Sequence, residues 1–368
     1  MTPNRRVNLS SQFLSNEEIV QRARKNLPQG AWDYLVGASE SETTMRRNRL
    51  AFDRVAFRPR VLRDVSEIDT STTFLGNDLR IPALLAPIGS LQVFNPEGGV
   101  ASTRAAADFG IMHVVSSVTQ PTLEEIAAAA DRPKVFQLYI HGDWEWVKEM
   151  LDRVNDAGYS GLCITVDTDH YSRRERPMLT RWTPPTQRGR QSSDPSHAAA
   201  VTWDTVDKIK SHAGLPFMLK GIATAEDARI ALEHEVDVVW VSNHGGRQLD
   251  HGQGTMEMLP EIAEAVDGKA EIVLDGGVQR GADILKAVAL GARAVALGKL
   301  QGWGLAAAGQ AGIVRMLEIL EDEITVAMAL LGVTSIGQLD PSYVCEAEAV
   351  VAPHEMSAWT NLPGNRIL

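Results

Sequence analysis

Short apolar runs alternate with amphipathic segments from about Leu84 to the last part of the chain. The runs are rich in β-branched residues, and the segments between them repeat their apolar positions about every 3.6 residues, as helices do. The alternation occurs eight times, which is typical of βα units around a parallel sheet. The predicted strands are 83–88, 112–116, 135–139, 162–166, 217–220, 238–242, 272–275 and 294–297.

This pattern favours a single (β/α)₈ barrel of the TIM type over an open doubly wound sheet, which usually has fewer strands. Helices are predicted at 97–109, 123–130, 144–157, 204–212, 225–234, 256–266, 282–290 and within 305–323. Short helices at 16–25 and 31–36 precede the barrel, and we expect them to cover its other end, away from the active-site face. The chain, 1–368, is then one α/β domain with an N-terminal helical cap (1–80), a barrel (81–330) and a C-terminal tail without a clear period (331–368).

One connection is longer than the others. The predicted fourth and fifth strands are separated by some fifty residues, and the excess at 173–201 is rich in Arg, Pro, Ser and Gln. Because it follows the end of a strand, we expect this loop on the active-site face. Its alternative interpretations are a mobile lid and a passive surface loop.

Composition narrows the class of protein. Hydrophobic residues make up 44% of the 368 and charged residues 23%, which is ordinary for a globular protein. The net charge of −11 argues against nucleic acid as a partner. Cys163 and Cys345 are too few for a disulfide scaffold and have no metal-ligand spacing, so we expect no metal site and a cytoplasmic location. No signal peptide or membrane span is evident.

Polar residues stand where the strands end, which is where barrel enzymes carry their reactive groups. The sixth strand leads into Ser-Asn-His-Gly-Gly-Arg-Gln at 242–248, the most informative segment of the chain. It places His244 and Arg247 three residues apart. Arginine can hold a carboxylate with two hydrogen bonds, and histidine has the pKa range of a proton-transferring group. The segment therefore predicts proton transfer beside a bound carboxylate.

Asp167 follows the fourth strand and has two interpretations. As the carboxylate partner of His244, it would fix the imidazole tautomer and raise the pKa of the imidazole. Without the histidine, a helix N-cap would be the simpler explanation.

Two glycine turns predict a phosphate site. A Gly-Gly pair at 276–277 follows the seventh strand, and Gly298-Lys299 follows the eighth. Turns at these positions offer backbone N–H groups and helix N-termini to phosphate, and Lys299 or Arg280 would add charge.

Lys220 ends the fifth strand, near the expected barrel axis. Burying its charge would be costly unless an anion were bound beside it, and a reduced flavin is such an anion. A Schiff-base lysine of the aldolase type is the alternative. The glycine turns, the lysine and the His–Arg pair together indicate a phosphorylated cofactor beside a small carboxylate substrate.

These motifs identify a resemblance. The sequence resembles the FMN-dependent 2-hydroxy-acid oxidase and dehydrogenase family, which includes glycolate oxidase, lactate oxidase, lactate monooxygenase and mandelate dehydrogenase. The resemblance runs from about Leu27 to Leu331. The 242–248 segment is similar to the family's signature around its catalytic histidine. Matching stretches follow the family's order at 136–139, 165–168, 173–175, 219–221 and 275–277.

The resemblance implies an enzyme that binds FMN and oxidises an (S)-2-hydroxy acid to the 2-oxo acid. His244 would act as the base with Asp167, and Lys220 would stabilise the reduced flavin. The substrate would be bound by Tyr34, Tyr139, Arg174, His244 and Arg247. The other cofactor contacts would come from Pro87, Ile88, Gly89, Ser116, Gln137, Thr165, Ser242, Asp275, Gly276, Gly277, Gln279, Gly298 and Lys299. Because the family is commonly tetrameric, a homotetramer is expected.

Several positions depart from the family pattern. Members commonly have arginine where Lys299 and Gln279 stand, so the phosphate end loses its bidentate donors. Val118 stands where glycolate oxidase has tryptophan, which would open space for a larger substrate side chain. Gly89 is alanine in many of the oxidases.

The reaction leaves alternatives open at this point. The electron acceptor is oxygen, a quinone or a protein. An FMN barrel of another reaction type, such as a dehydrogenase, monooxygenase or isomerase, is one competing interpretation, and a non-catalytic flavin-binding barrel is another.

Overall fold

The computed structural model describes residues 9–184, 196–350 and 358–359. The parts of the predicted cap, loop and tail at 1–8, 185–195, 351–357 and 360–368 lie outside the described residues. Three short strands come first, β1 (Val55–Phe57), β2 (Thr72–Phe74) and β3 (Asn77–Leu79). Eight further strands follow, β4 (Ala83–Leu85), β5 (Met112–Ser116), β6 (Val135–Leu138), β7 (Gly161–Thr165), β8 (Phe217–Ile222), β9 (Val238–Val241), β10 (Glu271–Leu274) and β11 (Ala294–Leu297).

Strands β4 to β11 form a closed parallel barrel, in which β11 pairs with β4. The predicted (β/α)₈ fold is therefore confirmed. Almost every residue of these strands is buried, because one face of each strand packs inside the barrel and the other under a helix. The register sets Thr165 beside Lys220 and Lys220 beside Trp240. The ends of neighbouring strands thus bring their polar residues together.

The helices surround this barrel. The cap contributes α1 (Asn16–Asn26), α2 (Gln29–Val36) and α3 (Thr43–Asp53). The others are α4 (Gly98–Phe109), α5 (Leu123–Ala127), α6 (Trp144–Asp156), α7 (Glu175–Leu179), α8 (Ser196–Ala199), α9 (Trp203–Ala213), α10 (Ala225–Glu233), α11 (Thr255–Val266), α12 (Gly281–Ala289) and α13 (Lys299–Leu331). The predicted helices are present with small shifts at their ends, whereas α3, α7 and α8 were not predicted.

The last helix is longer than the predicted 305–323. The assigned span of α13 contains a break at Ala308 and Gly309, where φ of Gly309 is +61°. At this break the chain turns back, and a Cβ on Gly304 would lie 3.0 Å from the Cα of Ile313. The glycines near the start of α13 weakened the helical pattern in the sequence. The same glycines let the two arms of the helix pack closely.

The expected position of the cap helices was wrong for α2. Tyr34 and Leu35 of α2 line the cavity at the carboxyl ends of the barrel strands. The opposite end is approached by the β2–β3 hairpin, where the backbone N–H of Leu75 donates to Glu271 at the start of β10. Hairpins pair strands over a few residues, and this short one carried too weak an alternating pattern to be predicted.

The tail also contains structure that the pattern did not predict. Residues Val344–Glu346 form β12, which pairs antiparallel with β1. The pairing joins segments from the two ends of the described chain, and neither strand has enough residues to show periodicity. None of the described helices combines the length and apolar character needed to span a bilayer.

Candidate active site

A cavity of about 1420 Å³ opens at the carboxyl ends of the barrel strands. Most of the predicted site residues line it: Tyr34, Pro87, Ile88, Gly89, Tyr139, Thr165, Arg174, Lys220, His244, Arg247, Asp275, Gly276, Gly277, Gln279, Gly298 and Lys299. Asp167 and Ser242 lie directly behind this surface. Asp167 is hydrogen-bonded to His244, and Ser242 is hydrogen-bonded to Lys220. Gln137 pairs in register with Ser116, which lines a neighbouring cavity. The structure thus gathers the predicted residues in one region.

His244 is held by the turn that follows β9. His244, Gly245 and Gly246 all have positive φ, of 59°, 67° and 75°. The side chain of Asn243 closes the turn by accepting a hydrogen bond from the N–H of Gly246 at 3.0 Å. Glycine adopts positive φ with little steric cost, so the two glycines allow this run of left-handed residues. The turn directs the imidazole of His244 into the cavity.

The imidazole of His244 pairs with the carboxylate of Asp167. Its Nδ1 lies 2.9 Å from Oδ1 of Asp167, and both side chains are largely buried. A carboxylate on Nδ1 selects the tautomer that leaves the lone pair of Nε2 for proton abstraction. Asp167 precedes α7 by several residues and that helix begins after Arg174, so the N-cap interpretation is wrong. Gly221 makes room for this carboxylate, because a Cβ there would lie 2.8 Å from the Cβ of Asp167.

The expected rise in the pKa of His244 was wrong in its net sign. Burial lowers the pKa of His244 below its usual 6.5, and Asp167 opposes that effect without overcoming it, while Lys220 adds to the lowering. The contribution of Asp167 has the predicted direction, but the depth of burial was not evident in the sequence. His244 is therefore uncharged at neutral pH and able to accept a proton.

Lys220 belongs to a buried network centred on Asp275. Its Nζ donates to Oγ of Ser242 at 3.0 Å and lies 3.4 Å from Oδ2 of Asp275. Ser242 and Trp240 also donate to the same carboxylate, at 2.7 and 3.1 Å. Burial lowers the pKa of Lys220, but Asp275 and Asp167 outweigh it and raise the pKa above its ordinary value. A lysine that keeps its proton suits a charge-stabilising role better than Schiff-base chemistry.

Arg174 and Arg247 form a pair of like charges on the cavity wall. Arg247 donates to the carbonyls of Tyr34 and Gly37 at 2.9 and 2.6 Å. Arg174 donates to the carbonyl of Arg247 and to the side chain of Gln248, at 3.2 and 3.3 Å. Within the part of the chain that the structure describes, neither has a carboxylate partner. Burial and Arg174 lower the pKa of Arg247 to about 10, so Arg247 stays charged at neutral pH and attracts an anion.

Two tyrosines complete this wall. The ring of Tyr34 lies beneath the guanidinium of Arg247, 5.2 Å from it, and is tilted against Trp182 with centroids 5.3 Å apart. Burial raises the pKa of Tyr139, and the nearby charge of Lys220 only partly opposes this. The Tyr139 hydroxyl therefore keeps its proton and can donate a hydrogen bond to a substrate oxygen.

The residues beside β4 to β7 fit a flavin ring. Gln137 is fully buried, and its side-chain Oε1 and Nε2 both lack hydrogen-bond partners within the described chain, as does Oγ1 of Thr165. Unsatisfied buried donors and acceptors are costly, and a flavin ring presents complementary N–H, N and C=O groups. These orphaned atoms indicate a polar heterocycle in this part of the barrel.

The other end of the cavity has some, but not all, of the predicted features of a phosphate site. Gly276 and Gly277 both have φ of +92°, and a Cβ at either would meet Asn48 at about 3 Å. Lys299 lines the cavity, and its Nζ lies 2.5 Å from the carbonyl oxygen of Val36. Of the two alternatives for added charge, Lys299 lines the cavity and Arg280 does not. The guanidinium of Arg280 pairs instead with Glu323 at 2.8 Å.

Two further residues that support the site were not predicted. Asn48 exchanges two hydrogen bonds with Asn243, at 2.9 and 2.7 Å, and thereby fixes the His244 turn. Arg49 donates to the carbonyl of Gly277 and pairs with Asp283 through both nitrogens. Both come from α3. The Arg-Arg-Asn-Arg run at 46–49 was the available signal for these residues in the sequence. Such a polar cluster inside an otherwise amphipathic helix indicates that some of its side chains have buried partners.

Comparison with known proteins identifies the family. The model of the family described as FMN-dependent dehydrogenase matches residues 23–346. The chain belongs to this family. The chain is similar to the L-lactate oxidase of Nostoc sp., with 39% identity over 89% of this chain and 96% of that protein. It is equally similar to a peroxisomal (S)-2-hydroxy-acid oxidase of Oryza sativa subsp. japonica, with 39% identity over 89% of this chain and 94% of the other.

Solved structures agree with this placement. A crystal structure of mandelate oxidase superposes with a TM-score of 0.85 and 38% identity, covering 92% of this chain and all of the other. The predicted family and FMN cofactor are confirmed. The protein is accordingly an oxidoreductase that acts on CH–OH donors.

Proposed function

We propose that this protein oxidises an (S)-2-hydroxy acid to the corresponding 2-oxo acid with His244 as the base. The observation that carries the proposal is the His244–Asp167 pair, 2.9 Å apart, beside two buried arginines without a carboxylate partner in the described chain. An acid–base group next to an anion site is the arrangement that a 2-hydroxy carboxylate needs. Relatives named lactate oxidase and (S)-2-hydroxy-acid oxidase support this substrate class.

In the proposed reaction, Arg174 and Arg247 bind the substrate carboxylate and hold C2 beside the imidazole. The Tyr139 hydroxyl donates to a substrate oxygen, and Tyr34 packs under Arg247. Nε2 of His244 accepts a proton from the substrate, and Asp167 stabilises the resulting imidazolium. FMN, when bound, supplies the acceptor for the two electrons that leave the substrate.

The proposed cofactor contacts come from residues in and behind the cavity wall. Gln137 and Thr165 would satisfy polar groups of the flavin ring, and Lys220 would supply a positive charge to it. Pro87, Ile88 and Gly89 would contact the ring, and Ser116 and Ser242 would support the ring and ribityl chain. The phosphate end is assigned to Asp275, Gly276, Gly277, Gln279, Gly298 and Lys299.

The electron acceptor is proposed to be oxygen, which the oxidase names of the relatives favour, with a quinone or a protein as the alternative. We also propose that 1–368 forms one functional unit and that the protein is a cytoplasmic homotetramer. Analytical ultracentrifugation tests the tetramer, and a monomeric mass at working concentrations would contradict it. Cell fractionation tests the location.

The experiment that tests the function follows the flavin directly. The purified protein should be yellow, and an (S)-2-hydroxy acid added without oxygen should bleach the flavin absorption. A panel of glycolate, lactate, mandelate and longer 2-hydroxy acids covers the substrate class. Absence of bound flavin after reconstitution with FMN, or no bleaching by any member of the panel, would contradict the proposal. Repeating the reaction in air distinguishes oxygen from other acceptors.

A further inference from the structure

Helix α3 of the cap contacts two turns at the cavity. One is the His244 turn, residues 242–248, and the other, residues 275–279, we call the phosphate turn. Asn48 of α3 is hydrogen-bonded to Asn243 of the His244 turn. The next residue, Arg49, donates to the carbonyl of Gly277 in the phosphate turn at 2.9 Å. The helix therefore connects the proposed base with the proposed phosphate end of the cavity.

A series of hydrogen bonds through Asn48 joins the two turns. Its Nδ2 donates to Oδ1 of Asn243 at 2.9 Å, and its Oδ1 accepts from Nδ2 of Asn243 at 2.7 Å. The same Oδ1 accepts from the backbone N–H of Thr255 at 3.1 Å. The hydroxyl of Thr255 donates in turn to the carbonyl of Gly276 at 3.2 Å. The series is thus continuous from Gly276 to Asn243.

The series ends on the backbone that orients the imidazole of His244. Oδ1 of Asn243 also accepts from the N–H of Gly246 at 3.0 Å, and its Nδ2 donates to the carbonyl of Gln253 at 2.9 Å. All four hydrogen-bonding positions of the Asn243 amide are therefore occupied. Asn48 is only 1% exposed, so a displacement of Asn48 leaves buried polar atoms without partners. The conformation of the His244 turn consequently depends on the position of Asn48.

The phosphate turn fits closely against the same asparagine. A Cβ on Gly276 would lie 3.0 Å from Nδ2 of Asn48, and a Cβ on Gly277 would lie 2.9 Å from the backbone carbonyl oxygen of Asn48. Both glycines have φ of +92°. Glycine has the widest choice of backbone conformations, so ordering this turn costs conformational entropy. An anion bound by the turn would restrict it, and the close fit would restrict Asn48 as well.

We propose that Asn48 is a positioning residue that couples the phosphate of bound FMN to the His244 turn, so that a filled phosphate site strengthens binding of the 2-hydroxy acid. This inference rests on the proposed function, which places the substrate at His244 and Arg247, both in that turn. A substrate that meets an already ordered turn gives up less conformational entropy on binding. Because coupling between two sites is reciprocal, bound substrate also strengthens the binding of the phosphate.

A comparison of two flavins measures this coupling. FMN and riboflavin share the same ring, and FMN alone carries a phosphate. The ligand 2-hydroxy-2-methylpropanoate has the carboxylate and hydroxyl of a substrate but no hydrogen on C2, so it binds without being oxidised. Its Kd is read from the perturbed flavin spectrum after the apoprotein is reconstituted with either flavin. We expect binding to be about tenfold tighter in the FMN form. Equal Kd values in the two forms would overturn the inference.

The variant Thr255→Val tests the series of hydrogen bonds in the FMN form alone. Valine keeps the shape of threonine and lacks the hydroxyl that donates to Gly276. Thr255 is not among the residues that line the cavity, so the direct contacts of the ligand are retained. We expect the Kd of 2-hydroxy-2-methylpropanoate to rise several-fold. The matched control Thr70→Val removes a hydroxyl that donates to the carbonyl of Arg80 at 3.0 Å, outside both turns, and should leave the Kd unchanged. An unchanged Kd in Thr255→Val would contradict the coupling.

The variant Asn48→Ala separates coupling from a purely structural role. A structural defect would weaken ligand binding by the same factor in the FMN and riboflavin forms. Loss of coupling removes the difference between the forms, so the ratio of the two Kd values should fall from about ten to about one. The control Arg46→Ala, at an exposed position of α3, removes a hydrogen bond to the carbonyl of Ser41 and should keep the ratio. A ratio that Asn48→Ala leaves unchanged would exclude the assigned role.

The same measurements distinguish failure of this inference from failure of the proposed function. If no 2-hydroxy acid bleaches the FMN form, the proposed function itself has failed. If lactate bleaches it and the two flavin forms bind 2-hydroxy-2-methylpropanoate equally, only the coupling has failed. The Thr255→Val comparison needs FMN alone, and it decides the inference if the protein does not retain riboflavin.

Discussion

Two clusters of buried positive charge face the same cavity, and they differ in how the chain compensates them. Lys220 lies 3.4 Å from the carboxylate of Asp275, which also accepts hydrogen bonds from Ser242 and Trp240. Arg174 and Arg247 have only neutral hydrogen-bond partners in the described chain, and burial together with the charge of Arg174 lowers the pKa of Arg247. A buried charge beside its counter-charge costs the fold little until one partner is removed, whereas an uncompensated pair stores electrostatic free energy that a bound anion releases.

The two clusters should therefore respond differently to mutation. Removing a member of the Lys220–Asp275 pair leaves a buried charge alone, so stability suffers. Removing one arginine relieves repulsion, so the fold is spared and substrate binding suffers. Variants of each cluster test whether stability and substrate binding separate in this way.

Among the variants of the two charge clusters, the largest effect on kcat/KM is expected for Arg247→Met. Losing one partner of a charge-assisted carboxylate contact costs about 2–5 kcal/mol, which corresponds to a fall in kcat/KM of about 30-fold to several thousandfold. The free energy of unfolding should change by less than about 1 kcal/mol, because the lost hydrogen bonds are offset by relief of repulsion with Arg174. Steady-state kinetics and urea unfolding measure the two quantities. A destabilised protein with unchanged kcat/KM would reverse the assignment.

The opposite outcome is expected for Asp275→Asn. Lys220 then remains buried without a counter-charge, and the free energy of unfolding should fall by about 3–5 kcal/mol. Urea unfolding monitored by circular dichroism gives the value. The double variant Asp275→Asn, Lys220→Met should recover part of the loss, since both charges are gone. If the double variant is no more stable than the single one, the ion pair does not stabilise the fold.

A smaller effect tests how Arg174 is positioned. Arg176, two residues along, forms two hydrogen bonds of 2.6 and 2.5 Å with Glu42 of the cap segment. Glu42→Gln should raise KM several-fold with little change in kcat, since partly buried ion pairs of this kind contribute about 1 kcal/mol. The matched control is Glu321→Gln, which breaks a similar two-bond pair with Arg80 away from the site. Equal effects of the two variants would exclude a specific role for Glu42.

The smallest effect is a shift along the pH axis. Burial lowers the pKa of His244 below 6.5, so the unprotonated base persists at neutral pH and kcat/KM should fall only as the pH drops through that lower pKa. Asp167 opposes this lowering. The variant Asp167→Asn removes the opposition, and the acid limb of the remaining activity should move to still lower pH. An acid limb that moves to higher pH would contradict the assigned effect of Asp167 on the pKa of His244.

The sequence predicted the barrel and much of the site for a local reason. A strand and the residues at its end are neighbours in the chain, so 242–248 and Lys220 could be placed without knowledge of the fold. Asn48 and Arg49 come from a cap helix far away in sequence, and only the tertiary structure brings them to the His244 turn. The net lowering of the pKa of His244 was missed for the same reason, because burial is a property of the assembled barrel.

The central claim is that His244 is the base for oxidation of a 2-hydroxy acid, and flavin reduction by His244→Ala tests it most directly. The variant should remain yellow, because His244 is not among the proposed cofactor contacts. Stopped-flow reduction without oxygen should be slower than in the unaltered protein by about 10²–10⁴-fold, the usual contribution of general base catalysis. A yellow variant that the substrate reduces at the unaltered rate would contradict the claim.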